Sequence, residues 1–387
     1  MGRRSTPCNE SGRILHRGDA ECAENRRGKV SKASALRTIT FKNIVSFLRG
    51  GTRGKALNVS RRRFKWIGIC FLLPVIVLAQ VRVTVAPIGG DDVPVVKQRI
   101  AKTLEAVLLE MNRAQADSSS LEKVKLLFAP EAYTTFVSFV TQNKAVTARK
   151  AYEPQMIDRM HGQFYDIRSI MVKIDPGETE SSAVQNLIFT FSRAGLITSV
   201  RSMLPKYDFQ MIVARGETAQ DSLMRGTILD FMEQFRMAYN TKDTTFLEKV
   251  YSDDALIFVG TVLEEKRGAD DMMRRSLLSQ PKVTLIQQSK REYMDGLKRR
   301  AFAKNAFINV RFDEFSIVRH EKLPWLYGIS CQQRWNSSTY SDKGYLFLMM
   351  DFRSLNEPVI HVRTWQPKAF EDGHYVGLDD FEIVGPQ

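Results

Sequence analysis

One stretch of this chain occurs twice, and the repeat constrains the fold more than any other feature of the sequence. Lys242–Ala255 contains an Asp, a three-residue spacer, Leu-Glu-Lys-Val and then an acidic-Ala step into β-rich sequence. Ala116–Ala132 follows the same plan. A second echo, Val200–Lys206 against Val362–Lys368, comes in the same order along the chain. Paired echoes in one order predict a duplicated domain.

Each copy of the repeat also contains the pattern of a helix start. Thr245 and Glu248 in one copy have the spacing of a capping box, as do Ser119 and Glu122 in the other. In a capping box, a hydroxyl and a carboxylate satisfy the free amides of the first helical turn. The spacing therefore predicts a short capped helix at the same place in both copies.

The positive charge of the chain is concentrated near its N-terminus. The formal net charge is +14, and residues 1–66 contain 17 of the 57 Lys and Arg residues but only 4 of the 43 Asp and Glu residues. The remaining residues are close to neutral and imply no broad basic surface. We therefore predict no nucleic-acid partner, because nucleic-acid binding needs such a surface.

A signal-like segment follows this basic region. Residues 1–58 are expected to be disordered, and the absence of Met between Met1 and Met111 suggests that translation starts instead at Val59. Residues 59–79 combine a basic start with an apolar core of about fourteen residues and end in Val-Leu-Ala, which predicts a cleaved secretory signal peptide. The core is short for a membrane span, which needs about 20 residues. We expect a periplasmic or secreted protein, with an inner-membrane signal anchor as the alternative.

Apolar patterns divide the rest of the chain into two similar units. Residues 80–95 are expected to be a leader, 96–213 a first domain, 214–225 a linker, and 226–387 a second domain with a C-terminal tail. In each unit, apolar residues at helical spacing come first and β-forming runs follow, which predicts an α+β fold. The predicted short helices are Leu121–Phe128, Tyr133–Gln142, Thr245–Tyr251 and Ala269–Ser279. The predicted strands are Ile167–Ile174, Ala183–Ser192, Leu196–Leu204, Ala306–Arg319, Tyr327–Trp335, Gly344–Phe352 and Val359–Trp365, with Tyr207–Val213 either a strand or the start of the linker.

Phe231–Asp243 followed by Leu247–Ala255 resembles the nuclear transport factor 2-like superfamily, which includes ketosteroid isomerase and SnoaL-like cyclases. In that family a first helix ends at an Asp, and an acidic-Asp-Ala step enters the sheet. The resemblance covers residues 226–370 well and residues 97–213 more loosely. It implies two tandem cone-shaped domains, each with N-terminal helices packed on a curved antiparallel sheet.

The resemblance places the catalytic positions of the isomerases on inert residues. The Tyr of the first helix falls on Phe235, the base on Val259, and the second acid near Met350. An isomerase site needs an oxyanion donor and a carboxylate base in an apolar cavity, so we assign no catalytic residue. The neighbouring Asp351 is expected to point to the other face of its strand.

A ligand pocket in the second cone is the candidate site. The side chains expected to line it are Phe235, Tyr239, Phe258, Trp335 and Trp365. Cavities of this kind are apolar with a few polar groups. The alternative is that these large aromatic side chains fill the cone.

The sequence predicts no metal and no cofactor. The cysteines Cys8, Cys22, Cys70 and Cys331 lack metal-ligand spacing, and the five histidines are scattered. The charge runs Lys290–Glu292 and Lys298–Arg300 are expected to be solvated faces.

The leading hypothesis is an exported, non-catalytic binding or scaffold protein, whose partner is a small apolar ligand or an envelope protein. The alternative is a lyase, isomerase or cyclase acting in the second cone. Membrane contact is expected only through an uncleaved signal segment. The short linker predicts that the two units pair as a pseudo-dimer within one chain, through apolar strand residues such as Phe189, Phe191, Phe347 and Met349.

Overall fold

The computed structural model describes residues 81–88, 93–159, 162–174, 184–263 and 282–381. The helices in these ranges are α1 (Pro94–Arg113), a 3-10 helix (Ser118–Leu127), α2 (Pro130–Asn143), α3 (Lys206–Ala214), α4 (Ala219–Asn240), α5 (Thr244–Val250), α6 (Lys290–Gly296), a π-helical turn (Leu297–Phe302) and a 3-10 turn (Leu378–Asp380). The strands are β1 (Arg82–Val83), β2 (Ala86–Ile88), β3 (Val146–Thr147), β4 (Ala151–Tyr152), β5 (Gln155–Arg159), β6 (Phe164–Lys173), β7 (Val184–Ser192), β8 (Ile197–Ser202), β9 (Tyr251–Leu263), β10 (Lys282–Gln288), β11 (Ile308–Arg319), β12 (Leu326–Ser337), β13 (Ser341–Asp351) and β14 (Val359–Gln366).

The first half packs its helices on one face of a twisted sheet. The sheet has the order β2-β5-β6-β7-β8, and β5 to β8 pair antiparallel. Helix α1 buries an apolar stripe that consists of Ile100, Leu104, Val107, Leu108 and Met111. This stripe packs against the strands because burial of apolar side chains is what stabilises an amphipathic helix.

The second half repeats the plan with a larger sheet of order β10-β9-β14-β13-β12-β11. Its last strand, β14, pairs parallel with β9, which brings the end of the chain back beside the beginning of the sheet. Helix α4 lies across the concave face and contributes Ile228, Met232 and Phe235 to the core. Helices followed by an antiparallel meander confirm the predicted α+β fold class.

The short helix of each repeat is capped by an Asp rather than by the predicted capping box. The Asp117 carboxylate accepts from the backbone N–H of Ser119, and the Asp243 carboxylate accepts from that of Phe246. The predicted caps, Ser119 and Thr245, lie one or two residues inside the helices. The Asp serves as the cap because its carboxylate accepts a hydrogen bond from a free backbone amide and also complements the positive end of the helix.

One strand of each sheet contains a bulge. The ladder shifts register between Ile167 and Ile170 in β6, and between Asp313 and Ser316 in β11. At these points Ser169 has φ 73° and Glu314 has φ 56°, a left-handed conformation that side chains rarely adopt. Because a bulge bends its strand and increases twist, these bulges contribute to the curvature of both sheets.

The two halves differ after the repeated short helix. In the second half the chain enters the long strand β9, whereas at the corresponding place in the first half Phe128 forms an isolated parallel bridge with Ile197. Helix α2 then takes the place of a long first strand. Helix α2 also confirms the predicted helix Tyr133–Gln142 and extends it at both ends.

Several predicted segment boundaries differ from the structure. The expected leader contributes strands β1 and β2, and Val81, Val83 and Val85 are buried in the core of the first half. Tyr207–Val213 lies in helix α3, and the expected linker contains the first turns of α4. Apolar and helix-forming residues in these stretches pack against residues that are distant in the sequence, and the linear sequence does not show such contacts. The predicted helix Ala269–Ser279 and the segment 1–79 lie outside the described residues.

The halves meet through polar side chains and through a few apolar ones, since Met237 of α4 joins the core of the first half and Leu204 joins that of the second. Phe189 and Phe191 lie in the core of the first half, while Phe347 and Met349 lie under the C-terminal residues Val376, Leu378 and Phe381. The predicted contact through these strand residues is therefore wrong. Each apolar face already has a cover within its own half.

Helix α4 instead receives an ion network from the first sheet. Arg168 pairs with Glu233, and both side chains are almost fully buried. Arg201 donates to Asp166 at 2.8 Å and lies 3.1 Å from Asp230. Farther along α4, the Asn240 side chain donates to Ser202 of the first half and accepts from the Val310 N–H of the second.

Replacing Asp243 with Ala should lower the free energy of unfolding by about 1 kcal/mol, because the Phe246 amide loses its acceptor. Thr245→Ala, at the exposed position that the sequence favoured, is the matched control and should leave stability unchanged. Urea unfolding of the two variants checks this. Equal losses of stability in the two variants would show that Thr245 contributes as much to the helix cap as Asp243 does.

Glu233→Gln should lower the free energy of unfolding by about 3–5 kcal/mol, because Arg168 is left buried without its counter-ion. The control is Glu357→Gln, which breaks an exposed pair with Lys249 and should have no measurable effect. Both are measured by denaturant unfolding. A small effect at Glu233 would mean that the network does not hold the halves together.

Candidate functional site

The structure brings three of the five predicted pocket residues into ring contact on the concave face of the second half. Phe235 and Tyr239 of α4 are fully buried, and their rings meet edge to face with centroids 5.0 Å apart. Trp335 of β12 packs against Tyr239 at 5.9 Å and is half-buried. These aromatic side chains pack on one another, with Trp335 at the edge of the core.

Strand register separates the other two residues. Trp365 pairs with Leu346, whose side chain belongs to the core under α4, so Trp365 lies on the concave face. Phe258 pairs with Thr364 and lies one residue from the core residue Ile257, so it lies on the convex face. Cross-strand partners share a face and successive residues alternate. Phe258 is therefore not brought to the predicted pocket.

Three tyrosine hydroxyls meet inside the second half. The Tyr239 hydroxyl lies 2.7 Å from that of Tyr293 and 3.3 Å from that of Tyr251. Burial raises the pKa of Tyr251 and Tyr293 well above the ordinary value for tyrosine. The Tyr251 and Tyr293 hydroxyls therefore stay protonated and act as hydrogen-bond donors and acceptors, not as bases.

Tyr293 reaches this cluster because Lys290–Glu292, predicted as a solvated charge run, opens helix α6. Ser289 and Glu292 form a complete capping box at its start. The same Ser-x-x-Glu spacing that was used for the repeats was present here and predicts the helix. Helix α6 was not predicted because Lys290–Glu292 was interpreted only as a run of charges.

Arg363 is the residue that sequence reasoning missed. It stands on β14 opposite Leu348 of the core and is 5% exposed, with its guanidinium 4.9 Å from the centre of the Tyr293 ring. Its Nε and Nη1 atoms have no hydrogen-bond partner, and in the described part of the chain it forms no ion pair. The sequence echo that aligns Arg201 with Arg363 was the signal that could have identified Arg363 as a candidate site residue.

The charge of Arg363 is retained despite its burial. Burial disfavours the cation, but the oxygens of Tyr293, Tyr239 and Tyr251 more than offset this, so the pKa of Arg363 lies above its ordinary value. Its Nε and Nη1 atoms nevertheless lack acceptors, and a buried donor without a hydrogen-bond partner costs free energy in the folded protein. The second half therefore contains buried hydrogen-bond donors without an acceptor.

The concave face opens toward solvent beyond Trp365. Val259 pairs with both Trp365 and Ile286, and Ile286 is 49% exposed. On the other side, Asp342 pairs with Trp335 at the edge of the core. The buried Trp365 Nε1 and Asp342 Oδ1 also have no partner. An apolar wall with a few unpaired polar atoms is the usual composition of a small-molecule site.

Acid–base chemistry has one candidate group here. Burial raises the pKa of Asp342, which the Arg363 charge partly opposes. The family positions Phe235, Val259 and Met350 carry no ionisable group, and Asp351 turns away from the concave face to pair with Arg353, as predicted. Burial also raises the pKa of Cys331, which leaves this thiol protonated.

A second concavity, a cleft of about 720 Å³, lies between the halves. Its lining includes Arg236 and Arg311. Arg236 donates to the carbonyls of Val310 and Met203, and Arg311 donates to that of Val184. The cleft thus lacks the unpaired buried cation that distinguishes the second half.

Among the described residues, no group of three or more potential ligands is placed to hold a metal ion. Within the same ranges, none of the helices combines the length and apolar character needed to cross a membrane.

No protein-family model matches the chain, and no curated protein matches it. Solved structures with partial similarity include Bd1075 of Bdellovibrio bacteriovorus (16% identity, TM-score 0.27, 44% of this chain and 47% of that chain). Another is naphthalene 1,2-dioxygenase with bound indole (10% identity, TM-score 0.29, 42% of this chain and 88% of that chain). A third is an NTF-2-like protein of unknown function from Shewanella oneidensis MR-1 (9% identity, TM-score 0.25, 36% of this chain and 96% of that chain). The match spans about half the length of Bd1075. Similarity at this level carries no information about activity or ligand.

Arg363→Met should raise the free energy of unfolding of the ligand-free protein by about 1 kcal/mol, because it removes an unpaired buried cation. Arg201→Met is the matched control at the echoed position, and it should lower stability by about 3 kcal/mol, because Asp166 and Asp230 lose their partner. Urea unfolding compares the two. A loss of stability in both variants would show that Arg363 is already satisfied.

Proposed function

We propose that this protein is an exported, non-catalytic binding protein with two tandem nuclear transport factor 2-like domains. In this proposal the second domain holds a small, largely apolar ligand on its concave face. The observation that carries the proposal is an aromatic core whose polar atoms, on Arg363 and Trp365, are buried without partners.

The arrangement favours binding over catalysis. The Tyr251 and Tyr293 hydroxyls keep their protons, and the positions of the family's base and acid hold Val259 and Met350. The ligand's apolar body would lie against Val259, Ile286 and Trp365, which continue the core to the surface. Export is supported by the signal-like segment 59–79 alone.

The repeated sequence elements support the tandem arrangement. Asp117 and Asp243 cap equivalent helices. The first half would act as a support for α4, because its sheet supplies Arg168 and Arg201 to that helix. A protein partner of the cell envelope is the other occupant consistent with a binding role.

Val259→Trp should remove ligand binding, because the larger side chain fills the space beside Trp365. The matched control is Val262→Trp on the same strand, where the side chain is 39% exposed on the convex face. Binding is measured with the neutral apolar probe N-phenyl-1-naphthylamine and by mass spectrometry of molecules extracted from the natively purified protein. Equal binding by both variants, or no binding by the unmodified protein, would sink the proposal.

A catalytic role is the second candidate, and Asp342 is the observation that favours it. Its buried Oδ1 has no partner, and its raised pKa suits a general acid. A lyase, isomerase or cyclase would use this group at the edge of the core beside Trp335. Asp342→Asn separates the two functions, because it should abolish turnover of an extracted ligand but leave its binding intact.

A further inference from the structure

We propose that the ligand of the second half is an amphiphilic organic acid, whose anionic head is held by Arg363 and Trp365. This proposal rests on the proposed binding function and adds the chemical class of the ligand. It follows from the location of one charge and from the absence of its counter-charge among the described residues.

The argument starts from the cost of burying Arg363. A guanidinium that is 95% buried is tolerated when a carboxylate pairs with it, as Glu233 and Asp166 pair with Arg168 and Arg201 in the same molecule. Arg363 has instead the face of the Tyr293 ring and an interaction with the Tyr239 hydroxyl. These contacts favour the cation but leave Nε and Nη1 without hydrogen-bond acceptors.

The unpaired donors lie close to one another. Arg363 and Trp365 are two residues apart on one strand, so their side chains are neighbours on the concave face. Both present N–H groups and neither can accept a hydrogen bond. A planar carboxylate or a sulfonate matches such a set, because its oxygens accept several charge-assisted hydrogen bonds at once.

The surroundings define the rest of the ligand. Leu346 and Leu348 stand opposite the two donors on β13, and Val259 and Ile286 continue the apolar surface outward. Asp342 is the nearby carboxylate, and its interaction with Arg363 is electrostatic rather than an ion pair. An inorganic anion would satisfy the donors but leave the apolar wall uncovered. An acid with an aromatic or aliphatic body covers both.

The test uses two probes that share an apolar body and differ in their head. 1-Anilinonaphthalene-8-sulfonate carries a sulfonate, and N-phenyl-1-naphthylamine is neutral. Both are titrated into the purified full chain and followed by probe fluorescence. We expect the sulfonate to bind at least about tenfold more tightly, the difference expected for charge-assisted hydrogen bonds.

Arg363→Met should abolish this preference but keep the affinity for the neutral probe, whereas Arg363→Lys should retain part of the preference. The control is Arg353→Met, which removes an exposed arginine on the other side of the sheet and should change nothing. Near-ultraviolet circular dichroism verifies that each variant is folded.

Equal affinity for the two probes, or a sulfonate preference that survives in Arg363→Met, would overturn the anionic head and leave an apolar site intact. If Arg363→Met does not fold, the comparison of the two probes on the unmodified protein still decides the proposal. Failure of both probes to bind, or binding that Val259→Trp does not reduce, would overturn the binding function itself.

Discussion

The ion network around helix α4 is the interaction on which the two halves depend. This helix is the first helix of the second half, and its opposite face carries Glu233 into contact with Arg168 of the first sheet. Paired charges hold a defined geometry, because any displacement leaves a buried ion without its partner. The network therefore fixes the helix from outside while the apolar core fixes it from inside. The position of Tyr239 relative to β14 follows from both.

The proposed ligand site is based on the different surroundings of two buried arginines. Arg201 and Arg363 occupy the same place in the sequence echo, yet Arg201 lies on the face away from its own core and meets carboxylates there. Arg363 faces the core of its half and meets tyrosines. A bulge between Ile360 and Val362 accompanies this difference in β14. A shift of one residue in a strand moves every following side chain to the other face.

Divergence between the copies agrees with the proposed roles of a supporting first half and a ligand-binding second half. The first half retains a single bridge, Phe128 to Ile197, where the second half has a full parallel pairing. Helix α2 covers that region of the first half and buries Phe136 and Phe139. The second half keeps the long hairpin of β9 and β10, with Val259 and the exposed Ile286 paired on it. The first half has no counterpart of this hairpin among its described residues.

Local and periodic features were determined by the sequence itself. Helical spacing predicted α1, alternating β-forming runs predicted β6, β7 and β11–β14, and the duplicated Asp-Leu-Glu-Lys-Val stretch predicted equivalent short helices. These features depend on neighbours within a few residues, which the sequence displays directly. The faces of Phe258 and Trp365, the cover over Phe347 and the partner of Glu233 were decided only by the tertiary structure. Each depends on strand register, bulges and contacts between residues far apart in the chain, and a one-residue shift reverses them.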